Sequence, residues 1–188
     1  MNEFLVVVGE ACLGLQLALD SSGSPDEIRD RISSASKGFA ARGLPSKLDS
    51  ISSMVGRPVV PNSEQHVLRI NRIRNCLVHR LGFVSEDDAR DGDTLQLTWL
   101  GYDVVAVGPD GSQRVELPYM VGEGEQLHLE LNSRKKEFRA GSRLTLTAQE
   151  LMEISWTIFL FAEELVANVE AAADDIARAH SQGSKGLT

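Results

Sequence analysis

Residues 67–81 read VLRINRIRNCLVHRL, and this stretch decides the class of fold that the sequence predicts. Projected onto a helix at about 100° per residue, its apolar side chains fall on one face. That face consists of Val67, Ile70, Ile73, Leu77, Val78 and Leu81. Arg74 falls within it, and an unpaired buried charge is costly. We therefore expect Arg74 to pair with an acid, to lie in a crevice or to bind an anion.

Three further helical stretches flank this one. Helical spacing of apolar residues predicts helices at about 3–20, 24–54, 63–81 and 148–180, of which the last is the longest. Ser24 followed by proline and two acids is typical of a helix start. The second helix is expected in one or two pieces, because glycine and proline disfavour one long helix there.

Between the third and fourth helices the pattern changes to that of strands. Five segments alternate or concentrate branched residues, and PDGS at 109–112 predicts a tight turn. These segments are TLQLTWL (94–100), DVVAV (103–107), QRVEL (113–117), QLHLEL (126–131) and RLTLT (143–147).

The expected fold is mainly α: a four-helix bundle with a small antiparallel β insertion at about 94–147. It forms a single domain over 1–180, followed by a disordered tail at 181–188. An α+β domain with no parent bundle is the alternative.

Composition restricts the class of function. The 188 residues carry a net charge of −8, which excludes a protein coated with Lys and Arg that binds nucleic acid everywhere. Cys12 and Cys76 are too few for a disulfide framework and lack the spacing of a zinc site. Glu3 stands where a secretory leader would be basic, and no apolar run is long enough for a bilayer. We expect a soluble, cytoplasmic protein without a membrane partner.

The third helix also carries a group suited to phosphodiester chemistry. Asn75 and His79 are four residues apart and stack one turn above the other, with Arg72 beside them. Histidine moves a proton near neutral pH, and arginine holds a phosphate bidentately while charge builds on it. RNA brings its own nucleophile, the 2′-hydroxyl.

The segment Arg74-Asn75-Cys76-Leu77-Val78-His79 resembles the signature of HEPN domains, an arginine, a polar residue, three variable positions and a histidine. These domains are helical bundles that often act as metal-independent ribonucleases. The resemblance implies a homodimer whose two motifs build a shared RNA-cleaving cleft without a metal or another cofactor. It assigns proton transfer to His79, phosphate stabilisation to Arg74 and orientation of both to Asn75.

The same resemblance implies a toxin or defence role, with an antitoxin or regulatory protein as a partner. A structural interpretation stays open beside it: Arg74 pairs with Glu153 or Glu163, and His79 interacts with the helix dipole. The motif would then be degenerate, and the chain would be a non-catalytic module that binds RNA, a nucleotide or a protein.

Two basic groups are candidates for RNA contact. The predicted RNA-binding residues are Arg69, Arg72 and Arg80 on the third helix, and Arg134, Lys135 and Lys136 in the segment 133–143. The alternatives are attraction between the third and last helices, and a solvated hairpin edge whose lysines oppose aggregation. The acidic run at 86–93 lacks the pattern of a calcium loop, so we predict no metal site.

Overall fold

The computed structural model describes residues 2–19, 24–89, 92–116 and 118–183. Over these residues the chain forms five helices and three strands. They are α1 (Asn2–Leu19), α2 (Pro25–Ala40), α3 (Leu44–Met54), α4 (Glu64–Arg80), β1 (Thr94–Gly108), β2 (Gly111–Val115), β3 (Gln126–Arg139) and α5 (Ala148–Gly183). None of these helices is both long and apolar enough to cross a bilayer.

The chain divides into two compact units. A helical unit comprises Met1–Glu64 with Leu160–Thr188, and a sheet unit comprises Gln65–Phe159. Part of the expected tail, residues 181–183, belongs to α5. Tail residues 184–188, Asp20 at the expected end of the first helix, and Leu117 at the end of the third predicted strand lie outside the described residues.

The helix start predicted at Ser24 is confirmed. The Ser24 hydroxyl accepts from the Glu27 backbone N–H at 3.3 Å, and the Glu27 carboxylate accepts from the Ser24 N–H at 2.7 Å. This reciprocal capping box satisfies two backbone donors that a helix terminus leaves without partners. The predicted second helix is two helices, because the chain leaves helical conformation after Ala40 and restarts behind Gly43 with proline in the first turn.

The helical unit has its own apolar core. Leu5, Val8, Cys12 and Leu17 of α1 are buried, as are apolar side chains of α3 and of the second half of α5. The Phe39 ring lies directly on Gly9, where an added Cβ would come within 2.9 Å of the ring. Glycine at this position therefore allows a close approach that a larger residue would prevent.

The sheet unit contains one antiparallel sheet with the strand order β2-β1-β3. The segments 94–100 and 103–107, predicted as separate strands, form the single long strand β1. The predicted turn at PDGS is confirmed, since Gly108 pairs with Gly111 across it. The strand predicted at 143–147 is wrong: only an isolated bridge joins Arg143 to Phe83, and helix α5 begins directly afterwards.

The four-helix bundle with a small β insertion is wrong, because the sheet forms the core of its unit. Side chains from β1 and β3 pack with one face of α4 and with the start of α5. This core consists of Ile70, Ile73, Cys76, Val84, Leu95, Leu97, Trp99, Phe138, Leu144 and Ile154. The strand-like segments were expected to decorate a helical bundle, yet their apolar face is what α4 and α5 cover.

Helix α5 also completes one edge of β1. The Leu100 backbone N–H donates to Thr157 Oγ1 at 2.9 Å, and the same hydroxyl lies 3.2 Å from the Leu100 carbonyl oxygen. Thr157 is fully buried. A buried backbone group without a partner is costly, so this hydroxyl takes the place of a neighbouring strand.

Replacing Thr157 with valine should destabilise the chain by about 1–3 kcal/mol, because it preserves shape but leaves the half-buried Leu100 N–H without its acceptor. Urea unfolding measures the change. Thr157→Ser keeps the hydroxyl and is the matched control, which should lose clearly less. Equal stability of Thr157→Val and the unsubstituted chain would show that this edge contact contributes nothing.

Candidate functional site

The HEPN-like motif lies in the second half of α4, which its buried residues hold in place. Ile70, Ile73 and Cys76 belong to the core of the sheet unit. Arg74 and His79 are exposed, and Asn75 between them is half-buried. The expectation that Arg74 falls on the buried face is wrong, because that face runs through position 76 and leaves position 74 in solvent.

Asn75 holds the guanidinium of Arg74. Arg74 Nη1 donates to Asn75 Oδ1 at 3.2 Å. Asn75 and His79 lie one turn apart on the same side of α4. The chain thus brings the three predicted site residues to one exposed stretch of helix.

The pairing of Arg74 with an acid, the structural alternative, finds no support within the sheet unit. Glu153 is buried and accepts instead from Trp99 Nε1 at 2.7 Å. Among the described residues of this unit, no carboxylate forms an ion pair with Arg74, and none hydrogen-bonds to His79. Within this unit no described acid therefore competes with an external group for either side chain.

Exposed apolar residues surround the end of α4. The exposed fractions are 43% for Leu77, 54% for Val78, 79% for Leu81 and 54% for Phe83. These four residues are called the α4 patch below. Three of them were expected on a buried helix face, and the chain leaves them in solvent. Leu81 also has φ 53°, a left-handed conformation uncommon for a residue other than glycine.

The basic residues predicted to contact RNA are mostly engaged inside the sheet unit. Arg69 donates to Gln96, and Arg72 also takes part in an interaction within the chain. The ion pairs are Arg80 with Asp88 at 2.7 Å, Arg134 with Asp103 at 2.5 Å, Lys135 with Glu137 at 2.7 Å and Lys136 with Glu150 at 2.7 Å. Only the Lys135 pair is exposed on both sides, so carboxylates of the same unit already contact most of these cations.

Asp103 is the most connected of these carboxylates, and sequence reasoning missed it. Arg114 of β2 and Arg134 of β3 both approach Asp103 Oδ1 at 2.5 Å, and Asn132 donates to its Oδ2 at 2.9 Å. One carboxylate on the middle strand thereby links all three strands. The signal was present in the alternation of β1, which places Asp103 on the buried face.

Gly101 provides the space for this cluster. A Cβ built at Gly101 would lie 2.5 Å from Arg134 Nε and 3.0 Å from a Glu153 carboxylate oxygen. A side chain at this position would therefore displace Arg134 from Asp103. The cluster depends on a glycine that falls between two segments predicted as separate strands.

The acidic segment after α4 has a structural role. Asp88 Oδ2 accepts from the Ser85 backbone N–H at 3.0 Å and from its hydroxyl at 2.9 Å, while Oδ1 pairs with Arg80. Across the described residues no group of histidine, cysteine and carboxylate side chains could hold a metal ion. Asp91 of the same run lies outside the described residues.

His66 and Cys76, which also belong to α4, both form hydrogen bonds within the sheet unit. His66 Nδ1 bonds to Thr98 Oγ1 at 2.9 Å, and burial lowers the pKa of this imidazole. The Cys76 thiol donates to the Phe83 carbonyl oxygen at 3.1 Å, and burial together with the nearby Asp88 raises its pKa. Both groups are thus already engaged in hydrogen bonds within the sheet unit.

Comparison with known proteins finds no match: no protein-family model, no curated protein and no solved structure matches the chain. The resemblance to HEPN domains therefore rests on the motif in α4 alone.

The Asp103 cluster predicts a pH-dependent stability. Burial raises the pKa of Asp103, but Arg134, Arg114 and Asn132 outweigh it and lower the pKa below the ordinary value of 3.8. A lowered folded-state pKa stabilises the fold above the unfolded pKa, and this contribution is lost as pH falls through the folded-state value. Asp103→Asn should therefore reduce the free energy of unfolding by roughly 1–3 kcal/mol at pH 7.

Urea unfolding at a series of pH values measures this difference, which should shrink as the pH falls below 3.8. Asp174→Asn, at an exposed carboxylate of α5, is the matched control and should change stability by less than about 0.5 kcal/mol. A penalty for Asp103→Asn that stays constant down to low pH would contradict the role given to its charge.

Proposed function

We propose that this chain is a metal-independent endoribonuclease of HEPN type, with Arg74, Asn75 and His79 as its site. The observation that carries the proposal is the exposed trio on α4, in which Asn75 holds the guanidinium and no described carboxylate of the unit neutralises it. An exposed arginine and an exposed imidazole on the same helix are chemically suited to contact a phosphodiester.

The reaction uses the nucleophile of the RNA itself. His79 takes the proton from the 2′-hydroxyl, the 2′-oxygen forms a bond to phosphorus, and the bond from phosphorus to the 5′-oxygen breaks. Arg74 stabilises the charge on the phosphoryl oxygens, and Asn75 keeps Arg74 in place. A second imidazole protonates the leaving 5′-oxygen, so the products are a 2′,3′-cyclic phosphate and a 5′-hydroxyl.

A homodimer supplies that second imidazole. The α4 patch places four exposed apolar side chains beside the motif, and contiguous exposed apolar surface marks a site of protein contact. Contact between two α4 patches would place His79 of the partner subunit near Arg74. The shared cleft is thus part of the proposal, as are a toxin or defence role in the cytoplasm and control by an antitoxin or regulatory protein.

The α4 patch also favours a second candidate function, a non-catalytic module that binds a protein partner. The pairing of most predicted RNA-contact residues with internal groups favours this alternative too, because a protein partner needs no open basic groove. In that case Arg74 and His79 would contact carboxylates or backbone groups of the partner.

Incubation of the purified chain with total RNA in excess chelator tests the first candidate. We expect cleavage that leaves cyclic phosphates, and a loss of about 10²–10⁴-fold in rate for His79→Ala, the size of effect that general acid–base catalysis contributes. Arg74→Ala should lose activity to a similar extent. Arg29→Ala, at an exposed arginine of α2, is the matched control and should cleave normally.

A folded, dimeric chain that leaves varied RNAs intact would support the protein-binding module. Cleavage that survives in both site variants would point to a contaminating nuclease. Cleavage that depends on added metal would also contradict the proposed mechanism.

Mixing the inactive His79→Ala variant with the unsubstituted chain tests whether the site is shared between chains. A mixed dimer retains only one of the two imidazoles that the reaction uses. If both imidazoles belong to one shared cleft, mixed dimers should be inactive, and the activity should fall below the fraction of unsubstituted chain in the mixture. If each chain carries a complete site, the activity should fall only in proportion to that fraction.

A further inference from the structure

Strand β3 leaves one edge of the sheet open. It is an outer strand in the order β2-β1-β3, and no described segment pairs with its other side. Every residue from Gln126 to Ser133 is exposed. Such an edge presents a row of backbone donors and acceptors that can pair with another strand.

This edge also exposes apolar side chains on one face. Leu127, Leu129 and Leu131 alternate along the strand and are 40%, 69% and 54% exposed. They continue an apolar row of the sheet, since Leu129 lies opposite Val104 of β1, which in turn lies opposite Val115 of β2. This row of apolar side chains therefore crosses all three strands and ends at Leu129, on the open edge.

The segment 126–132, QLHLELN, is complementary to itself when it is reversed. With Leu129 as the centre, Leu127 stands opposite Leu131, His128 opposite Glu130, and Gln126 opposite Asn132. An antiparallel pair of these segments would place all three leucines of each chain opposite leucines. It would also place His128 opposite Glu130 of the partner subunit twice, once on each side of the centre.

We propose that two copies of this chain associate by antiparallel pairing of their β3 strands, centred on Leu129. The occupant of the open edge is thus a second copy, which joins two three-stranded sheets into one of six strands. The apolar row then runs continuously from Val115 through Val104 and Leu129 into the same residues of the second chain. Such isologous contacts are the commonest way in which soluble chains form dimers.

Neighbouring registers fit worse. Centring the pair on Glu130 places this carboxylate opposite its own copy, so like charges face each other. Centring it on His128 leaves Leu131 opposite no residue of the partner strand, because β3 begins at Gln126. Like charges or a mismatch of apolar and charged residues at directly opposite positions destabilise a strand pair, so the pattern selects the register centred on Leu129.

The surface lies on β3 and includes no residue of α4. The inference therefore does not depend on the proposed ribonuclease activity.

Single cysteines on β3 test both the contact and its register. Leu129 faces its own copy, so Leu129→Cys should form a disulfide-linked dimer on mild oxidation. The two copies of Leu127 are offset by four residues, about 13 Å along the strands, so Leu127→Cys alone should not. Leu127→Cys mixed with Leu131→Cys should crosslink, because these positions face each other.

The native cysteines do not interfere with this experiment. Cys12 and Cys76 are buried, and burial raises the pKa of both thiols, so the added exposed thiol is the reactive one. Crosslinking of Leu127→Cys alone as fast as Leu129→Cys would overturn the register. Absence of crosslinks in all three experiments would overturn the contact.

Light scattering measures the association without oxidation. Leu129→Lys places a charge opposite its own copy, so its mass in solution should be half that of the unsubstituted chain. Val7→Lys, at an apolar residue of α1 that is 63% exposed, is the matched control and should keep the full mass. An unsubstituted chain that is monomeric, or a Leu129→Lys variant with the full mass, would overturn the proposal.

Discussion

A strand in the interior of a protein needs hydrogen-bond partners along both edges and apolar cover on its buried face, and β1 is the strand on which the sheet unit depends. β3 satisfies one edge along nearly its whole length, whereas β2 reaches only the last five residues of the other. At Leu100 of that second edge, α5 supplies the Thr157 hydroxyl. The same helix places Glu153 against Trp99 and Ile154 in the core. β1 therefore depends on α4, α5 and β3 for its hydrogen-bond partners and its apolar cover.

This dependence explains which parts of the fold could be predicted from the sequence. Local signals placed the helices well, because capping residues such as Ser24 and periodic apolar residues act over a few positions. The role of the sheet could not be predicted in the same way. The alternation of 94–107 indicates a strand with one buried face, but nothing local says that α4 and α5 cover that face. The segment 143–147 alternates equally well and lies directly before a helix. Its alternation does not show whether a strand is available to pair with it, and in the structure it forms only an isolated bridge.

For a similar reason, only part of the candidate site could be predicted from the sequence. The spacing of Asn75 and His79 fixes their alignment on any helix, so the sequence was sufficient to group them. Whether Arg74 lies in the core depends on which side of α4 the sheet covers. Tertiary packing decides this, and no local sequence pattern shows it. Cys76, rather than Leu77 or Val78, faces the core. The buried face of α4 is therefore rotated relative to the predicted one, so Arg74 and the α4 patch are exposed. The Asp103 cluster shows the converse, since a buried acid was visible in the alternation of β1 but its three partners come from two other strands.

The two proposed contacts between chains have consequences for each other. Each pairs a surface with its own copy, one through α4 and the other through β3, and each therefore generates a twofold axis. When a chain carries two different twofold contacts, axes that intersect at right angles close the assembly as a tetramer, axes that intersect at certain other angles close it as a larger oligomer, and axes that do not intersect give an open assembly. A closed assembly that uses both contacts therefore requires that the two axes intersect at one of these angles. The β3 pairing leaves Arg74 and His79 untouched, and it therefore allows control of the α4 contact by a protein partner without loss of the dimer.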